Sequence, residues 1–191
     1  MGSWYKKQLN DWKATLDVKA DLVYDIGGAQ DPIRGMTRSW DVKEYKIIDL
    51  AIPHVEKVRP DIEHDMNYRI PELPKADLIF CLGVSDYIIN PNIFMDNIAA
   101  LLAPNGYAWV EWPFVYPIHN PKDDEGCRYS EGCVRRLVRQ SHLHLDTMIY
   151  KTPKPDNPYL LKFYATDGMR AADGVDHNVT GYITRLVHAA S

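Results

Sequence analysis

The sequence predicts an α/β fold: a mostly parallel sheet with flanking helices. Short apolar runs with the character of buried strands alternate along the chain with helical or loop segments, as in layered α/β proteins. The run at 76–83 (ADLIFCLG) is apolar almost throughout, as expected for a strand covered on both faces. No repeat, linker or low-complexity segment interrupts the pattern, so we expect a single domain over 1–191.

Composition agrees with this class. The chain has 191 residues, of which 46% are apolar and 25% charged, which is ordinary for a soluble globular domain. A net charge of −4 does not indicate a nucleic-acid or anionic-membrane partner, and the apolar runs are too short to span a bilayer. The N-terminus lacks the apolar core of a signal peptide. Three cysteines (Cys81, Cys127 and Cys133) without metal-like spacing favour reduced thiols and a cytoplasmic location.

The first half of the chain predicts one helix and four strands. Residues 3–16 place apolar side chains at helical spacing, so we expect an N-terminal helix within 1–20. The core, 21–150, begins with a buried strand at 21–26. Further strands are predicted at 44–50, more weakly at 59–65, and at 76–83.

The second half predicts two helices and further strands. A helix at 90–103 is expected to begin at the cap Asn90, with Pro91 in its first turn, and to stop at a Pro-Asn-Gly turn, 104–106. A helix at 130–141 is expected to be capped by Ser130. The predicted strands are 106–112, 143–151 and, in the C-terminal part 151–191, 159–168; residues 181–190 fit a strand or a helix.

Two connections are too short for the helices that a regular fold of this class would have. Residues 30–43 contain Pro32 and Gly35 and form at best a short helix, and residues 51–58 are shorter still. We therefore expect loops to cover part of one face of the sheet.

Small and acidic residues follow the predicted strands at their carboxyl ends, where ligands bind in such sheets. The first end, Asp25 to Gly28, bares backbone N–H groups to a ligand. The carboxylate of Asp49 can accept hydrogen bonds from both ribose hydroxyls of an adenosine. Asp65-Met66 suits adenine, with a carboxylate for its amine and an apolar side chain for its ring. Leu82-Gly83 forms another tight strand end.

These segments resemble motifs of class I S-adenosylmethionine-dependent methyltransferases of the type 11 kind. The similar segments, spanning about 21–138, are DLVYDIGGA, YKIIDL, DIEHDM, ADLIFCLGVSDYI, IAALLAPNGYAWVEWPF and PFVYPIHNPKDDEGCRYSEGCVRRLV. The resemblance implies a Rossmann-like sheet and S-adenosyl-L-methionine as cofactor. The cofactor-binding residues it implies are Asp25, Gly27, Gly28, Asp49, Leu50, Asp65, Met66, Leu82 and Gly83.

The chain departs from the family pattern after Gly28. The third glycine of the first motif is displaced, and Pro32 interrupts the helix that should follow. A helix N-terminus favours a diphosphate, which S-adenosylmethionine lacks, so the loss disfavours NAD more than this cofactor. The loop 30–43 could then fold over the cofactor with Trp40 as a lid. Tyr87 follows Asp86 where the family often has histidine.

Candidates for a base or for positioning the acceptor follow the fourth and fifth strands: Asp86, Tyr87, His119 and Arg128. His119 could equally be a loop histidine bonded to backbone, and Arg128 could instead pair with a nearby acid. His142 and His144 share one face of a strand but lack a convincing third ligand, so no metal site is predicted.

The predicted function is therefore in-line methyl transfer to a small-molecule or glycan acceptor. Two alternatives stay open. One is a catalytically inactive protein that keeps the cofactor pocket or only its shape, and the other is an NAD(P)-dependent oxidoreductase on a related sheet. The sequence does not indicate an oligomeric state.

Overall fold

The computed structural model describes residues 4–53, 57–114, 127–151 and 181–188. Their helices are α1 (Trp4–Lys13), α2 (Pro91–Leu101) and α3 (Glu131–Gln140), with one 3₁₀ turn at Ser85–Tyr87. Their strands are β1 (Asp17–Ile26), β2 (Ser39–Asp49), β3 (Ile62–Glu63), β4 (Ala76–Cys81), β5 (Leu102–Pro113), β6 (Leu143–Lys151) and β7 (Gly181–His188).

The seven strands form one sheet in the order β3-β2-β1-β4-β5-β7-β6. Strands β1 to β5 pair in parallel, whereas β7 inserts antiparallel between β5 and β6. The predicted α/β class with a mostly parallel sheet is confirmed. Because β1 is flanked by β2 on one side and β4 on the other, the strand order reverses at β1, where open sheets of this kind bind ligands.

Helices α2 and α3 cover one face of the sheet. Their apolar side chains, among them Phe94 and Val134, are fully buried against the strands. Trp112 of β5 lies beneath them, with its ring 5.9 Å from that of Phe94, and its indole N–H donates a hydrogen bond of 2.8 Å to Thr184. This face is therefore a conventional helix-covered core.

Helix α1 and a loop cover the opposite face. Trp12 of α1 packs edge-on against Trp109 of β5, with ring centroids 5.0 Å apart. The segment 27–38, between β1 and β2, contains no helix and buries Ile33 against the sheet. The prediction that a loop takes the place of a connecting helix is thereby confirmed.

Several predicted element boundaries are corrected. Strand β1 begins at Asp17, because α1 ends at Lys13, earlier than the apolar spacing indicates. Asn90 does precede α2, but its side chain makes no cap and instead donates to the Asn67 carbonyl. The ambiguous segment near the C-terminus is strand β7, and the strand predicted at 159–168 lies outside the described residues.

The predicted Pro-Asn-Gly turn lies inside β5. Leu102 pairs with Ala76, and the next paired residue, Tyr107, is opposite Leu78, so residues 103–106 bulge opposite one residue of β4. A Cβ on Gly106 would lie 2.8 Å from the Asp77 carbonyl oxygen, which explains the glycine. Helix α2 therefore passes directly into β5 without a separate turn.

Trp40 does not act as a lid residue in this structure. It lies in β2 opposite Val18 and packs edge-on against Tyr45, with ring centroids 5.4 Å apart. That position is in the first half of the strand, away from the carboxyl end where the ligand was expected.

Candidate functional site

A cavity of about 440 Å³ opens at the carboxyl ends of β1 and β2 and beside the loop after β4. This volume is within the usual range for small-molecule and cofactor sites, roughly 300–1,000 Å³. Its walls are formed by Ile26, Gly27, Gln30, Ile48, Asp49, Leu50, Pro53, His64, Asp65, Met66, Asn67, Gly83, Val84, Tyr87, Ile88 and Ile89.

The cavity brings together residues from four separate strand ends. The sequence-predicted site residues that line it are Gly27, Asp49, Leu50, Asp65, Met66, Gly83 and Tyr87. Asp25, Gly28, Leu82, Asp86 and Arg128 are described but are not part of its lining. His119 lies outside the described residues.

Asp49 ends β2 and is held in place by backbone groups on either side. Its Oδ2 accepts a hydrogen bond of 3.0 Å from the Ala29 N–H, and its Oδ1 accepts one of 2.8 Å from the Leu50 N–H. A carboxylate has about four lone-pair positions, so both oxygens can still accept from a ligand. The site therefore presents a pre-oriented acceptor pair.

Asp65 and Met66 follow the short strand β3. Asp65 Oδ1 accepts hydrogen bonds from the backbone N–H of Asn67 at 2.9 Å and from its side-chain amide at 3.0 Å. Met66 and Ile48 are almost fully buried and supply an apolar wall beside the carboxylate. An acceptor next to an apolar surface matches a flat heteroaromatic ring with an exocyclic amine.

Two glycines bare the backbone at the cavity. Gly27 has φ +79° and Gly83 has φ +75°, conformations that other residues rarely adopt. A Cβ on Gly27 would lie 2.2 Å from Val84, so β1 and the loop after β4 approach each other closely here. A Cβ on Gly83 would meet nothing within 4 Å, so its backbone faces open space.

Asp25 is buried beside the loop 27–38. Its Oδ2 accepts a hydrogen bond of 2.8 Å from the Ile33 N–H and another from the Tyr45 hydroxyl. Burial raises the pKa of the Asp25 carboxyl to about 6, against the lowering effect of these two donors. The described contacts make Asp25 an anchor of the loop, and Gly28 leaves room for its carboxylate, which a Cβ would approach to 2.6 Å.

The 3₁₀ turn Ser85–Tyr87 carries the candidates nearest to the cavity. Tyr87 lines the cavity, whereas Asp86 is buried and is not part of the lining. The Ser85 hydroxyl donates to the Glu111 carbonyl at 2.6 Å, and the Cys127 N–H donates to the Asp86 carbonyl at 2.9 Å. The turn is thus fastened to β5 and to the segment before α3, where the Arg128 guanidinium donates to the Cys127 carbonyl at 2.9 Å.

Three further polar residues line the cavity and were not predicted from the sequence: Gln30, His64 and Asn67. Two of them flank Asp65-Met66 in sequence, so taking the neighbours of each predicted strand end would have found them.

Within the described ranges no group of three or more His, Cys, Asp or Glu side chains is arranged to hold a metal ion. The helices described there are all too short or too polar to cross a membrane.

Comparison with solved structures finds a similar fold in several methyltransferases. Over 98% of this chain and 90% of the other, it is similar to the putative methyltransferase in a complex with the Haloferax volcanii Trm112 methyltransferase activator, with a TM-score of 0.67 and 14% identity. An S-adenosylmethionine-dependent methyltransferase from Clostridium acetobutylicum is similar over 97% of this chain and 90% of its own, with a TM-score of 0.60 and 11% identity.

A third similar structure is CalO1, a methyltransferase in calicheamicin biosynthesis, in its SAH-bound form, with a TM-score of 0.61 and 14% identity. The match covers 97% of this chain but only 54% of CalO1. No protein-family model matches the sequence, and no curated protein matches it. The similarity to solved structures therefore shows the fold.

Proposed function

We propose that this chain, which has the class I S-adenosylmethionine-dependent methyltransferase fold, transfers a methyl group from S-adenosyl-L-methionine to a small-molecule or glycan acceptor. One observation carries the proposal. The carboxylates of Asp49 and Asp65, from the ends of two different strands, line a single cavity with the bared backbone of Gly27 and Gly83.

The residues present fit the adenosyl group. Asp49, fixed by two backbone N–H groups, would accept hydrogen bonds from the ribose hydroxyls. Asp65 would accept from the adenine amine, with Met66 against the ring. Gly27 and Gly83 would let the amino-acid part lie against backbone. The chemistry of this donor and acceptor set matches an adenosyl group that carries no phosphate.

When bound, the cofactor supplies an electrophilic methyl carbon attached to a sulfonium. The protein's own part is to hold the two reactants in line and to exclude water, which can lower the barrier by roughly 7–11 kcal/mol in ideal intramolecular models. Tyr87 lines the cavity and would position the acceptor. We assign Asp86, His119 and Arg128 to the acceptor side as candidates, for proton removal or binding, where the acceptor needs it.

The first test is calorimetric titration with S-adenosylhomocysteine and with NADH. We expect binding of the adenosyl compound in the micromolar range and no comparable binding of NADH. The Asp49→Ala variant should bind about 10- to 150-fold more weakly, because charge-assisted hydrogen bonds are each worth about 1.5–3 kcal/mol. A methyl-release assay with acceptor fractions then tests turnover.

Asp41→Ala is the matched control. Asp41 is an acid of the same strand β2, but it is exposed and pairs with Lys19 at the surface. Its loss should leave the affinity unchanged. Unchanged affinity in Asp49→Ala would refute the placement of the ribose. Preferential NADH binding would favour the oxidoreductase, and tight cofactor binding without any methyl transfer would favour the inactive alternative.

A further inference from the structure

Asn67 lines the cavity and links Asp65 to the loop that carries Tyr87, and its side chain uses its full hydrogen-bonding capacity. Its amide group donates to Asp65 Oδ1 at 3.0 Å and to the Tyr87 carbonyl at 3.2 Å. Its Oδ1 accepts from the N–H groups of Ile89 at 2.7 Å and Asn90 at 3.2 Å. An asparagine side chain has two donors and two acceptor positions, so every one is occupied.

The pattern also fixes which way the amide points. The donor end faces a carboxylate and a carbonyl, and the acceptor end faces two backbone N–H groups. Exchanging the amide nitrogen and oxygen would set like groups against each other at all four contacts. The Asn67 side chain therefore holds one orientation, and its amide group in turn orients the Asp65 carboxylate by donating to Oδ1.

The described hydrogen bonds from Asn67 to Asp65 both reach the same carboxylate oxygen. Oδ1 accepts from both the backbone N–H and the side-chain amide of Asn67, which together use its two lone pairs. Oδ2 is then the oxygen with which Asp65 can accept a hydrogen bond from a ligand. The same asparagine ties this carboxylate to the loop that carries Tyr87.

We infer that Asn67 is a positioning residue for nucleobase recognition, which aims Asp65 at the exocyclic amine of adenine and couples that contact to the Tyr87 loop. The inference rests on the proposed function, since it assigns an adenosyl ligand to this cavity. It predicts that discrimination between a 6-amino and a 6-oxo purine depends on Asn67 as well as on Asp65.

A second asparagine provides a matched control. Asn97 of α2 is buried and hydrogen-bonds to the segment 66–70, which includes Asn67. It donates to the Met66 and Tyr68 carbonyls and accepts from the Ile70 N–H. It makes no described hydrogen bond to Asp65. Loss of Asn97 should therefore disturb the segment without releasing the carboxylate from its orientation.

The test compares the affinities of S-adenosylhomocysteine and S-inosylhomocysteine, in which an oxo group replaces the purine amine. We expect wild-type protein to prefer the adenosyl compound by about tenfold or more, the scale of one charge-assisted hydrogen bond. Asn67→Ala should reduce this preference to within about threefold, whereas Asn97→Ala should keep it, even if both variants unfold more easily.

Asn67→Asp and amide hydrogen exchange separate orientation from folding. The aspartate keeps an oxygen for the Ile89 and Asn90 N–H groups, so these amides should stay protected in the ligand-free protein, while the preference is lost because an oxygen now faces Asp65. In Asn67→Ala both amides should exchange faster. The wild-type preference persisting in both Asn67 variants would overturn the inference. Wild-type protein that binds neither compound would instead refute the proposed function, and the inference with it.

Discussion

At the scale of single residues, the adjacent glycines after β1 have different reasons to be glycine. Gly27 takes a positive φ of 79° and lies so close to Val84 that a side chain would collide with it. Gly28 has an ordinary φ, but the Asp25 carboxylate occupies the space where its side chain would be. Only the first of the two lines the cavity.

Gly28→Ala tests this distinction. Its Cβ would lie 2.6 Å from Asp25, which is buried and held by Ile33 and Tyr45, so the loop must shift. We expect a loss of about 1–3 kcal/mol in the free energy of unfolding, as for other overpacked sites, measured by urea denaturation.

Gly132→Ala is the control for that substitution. Gly132 lies in α3, and a Cβ there would meet nothing within 4 Å. An alanine should stabilise the protein slightly, by about 0.5–1 kcal/mol, because it restricts the unfolded chain. Equal effects of the two alanines would show that contact with Asp25 does not explain Gly28.

Residue types at strand ends predicted part of the site. Asp49 could be found because it directly follows the apolar pair Ile47-Ile48, and Asp65 because it ends the weaker strand predicted at 59–65. All parallel strands end at one edge of the sheet, where both carboxylates line the cavity. Asp25 shows the limit of this reasoning. It also ends such a run, but whether its side chain faces the cavity or the core depends on strand register and on the loop beside it, which a single sequence does not display.

At the scale of elements, the loop 27–38 covers part of the sheet that a connecting helix would cover in a regular fold of this class. It is fastened at Ala29, whose N–H donates to Asp49 and whose carbonyl accepts from the Lys57 and Val58 N–H groups. It is fastened again at Ile33, through Asp25. Since Gly27 and Gln30 line the cavity, these anchors also set the shape of the site.

Tyr45→Phe should loosen this loop. The Tyr45 hydroxyl donates to the buried Asp25 carboxylate, and burial together with Asp25 raises the pKa of Tyr45. Removing the donor leaves a buried acid with one partner fewer, at a cost of about 1–3 kcal/mol in the free energy of unfolding. The Ile33 amide should also exchange faster.

The exposed Tyr68 provides the reference, since Tyr68→Phe should change the stability by less than about 0.5 kcal/mol. If Tyr45→Phe matched it, the hydroxyl would not be an anchor of the loop.

Element identity was more predictable than element boundaries. Long apolar or amphipathic segments, such as β4 and α2, can be identified from the sequence because their apolar side chains must be buried in the core. The predicted start of β1 was wrong because residues 17–20 do not form a continuous apolar run: exposed charged residues alternate there with buried apolar ones. The direction of β7 depends on its pairing with β5 and β6, which are distant from it in sequence.

At the scale of the whole molecule, the face covered by α1 contains buried charges of both signs. Glu111 of β5 and Lys151 of β6 form an ion pair across β7, and the Lys13 amine lies 3.6 Å from the Met36 sulfur. Burial lowers the pKa of Lys13, and attraction to Asp25 and Glu111 opposes that shift. The stability of the fold should therefore respond to the ionisation of the two buried groups on this face whose pKa is shifted, Lys13 and Asp25.

Asp25 gives this response a definite sign. Its pKa rises from an ordinary 3.8 to about 6 in the folded protein, because burial penalises the charged form. The stability that the protonated carboxyl contributes is fully present below about pH 4 and is lost as pH rises through 6. At roughly 1.4 kcal/mol per pKa unit, the free energy of unfolding should lose about 2–3 kcal/mol over this interval through Asp25.

Asp25→Asn should remove this component, because the amide does not ionise and still offers an oxygen to the Ile33 N–H. Asp17 is the opposite case, because the hydrogen bond from Arg38 lowers the pKa of its carboxyl to about 2. The stability that the ionised Asp17 contributes is present above pH 4 and is lost only in more acidic solution, and Asp17→Asn should remove it. Urea denaturation of the three proteins from pH 3 to 8 distinguishes the two carboxyls. A wild-type pH profile that Asp25→Asn leaves unchanged between pH 4 and 7 would show that Asp25 is not ionising within the folded core.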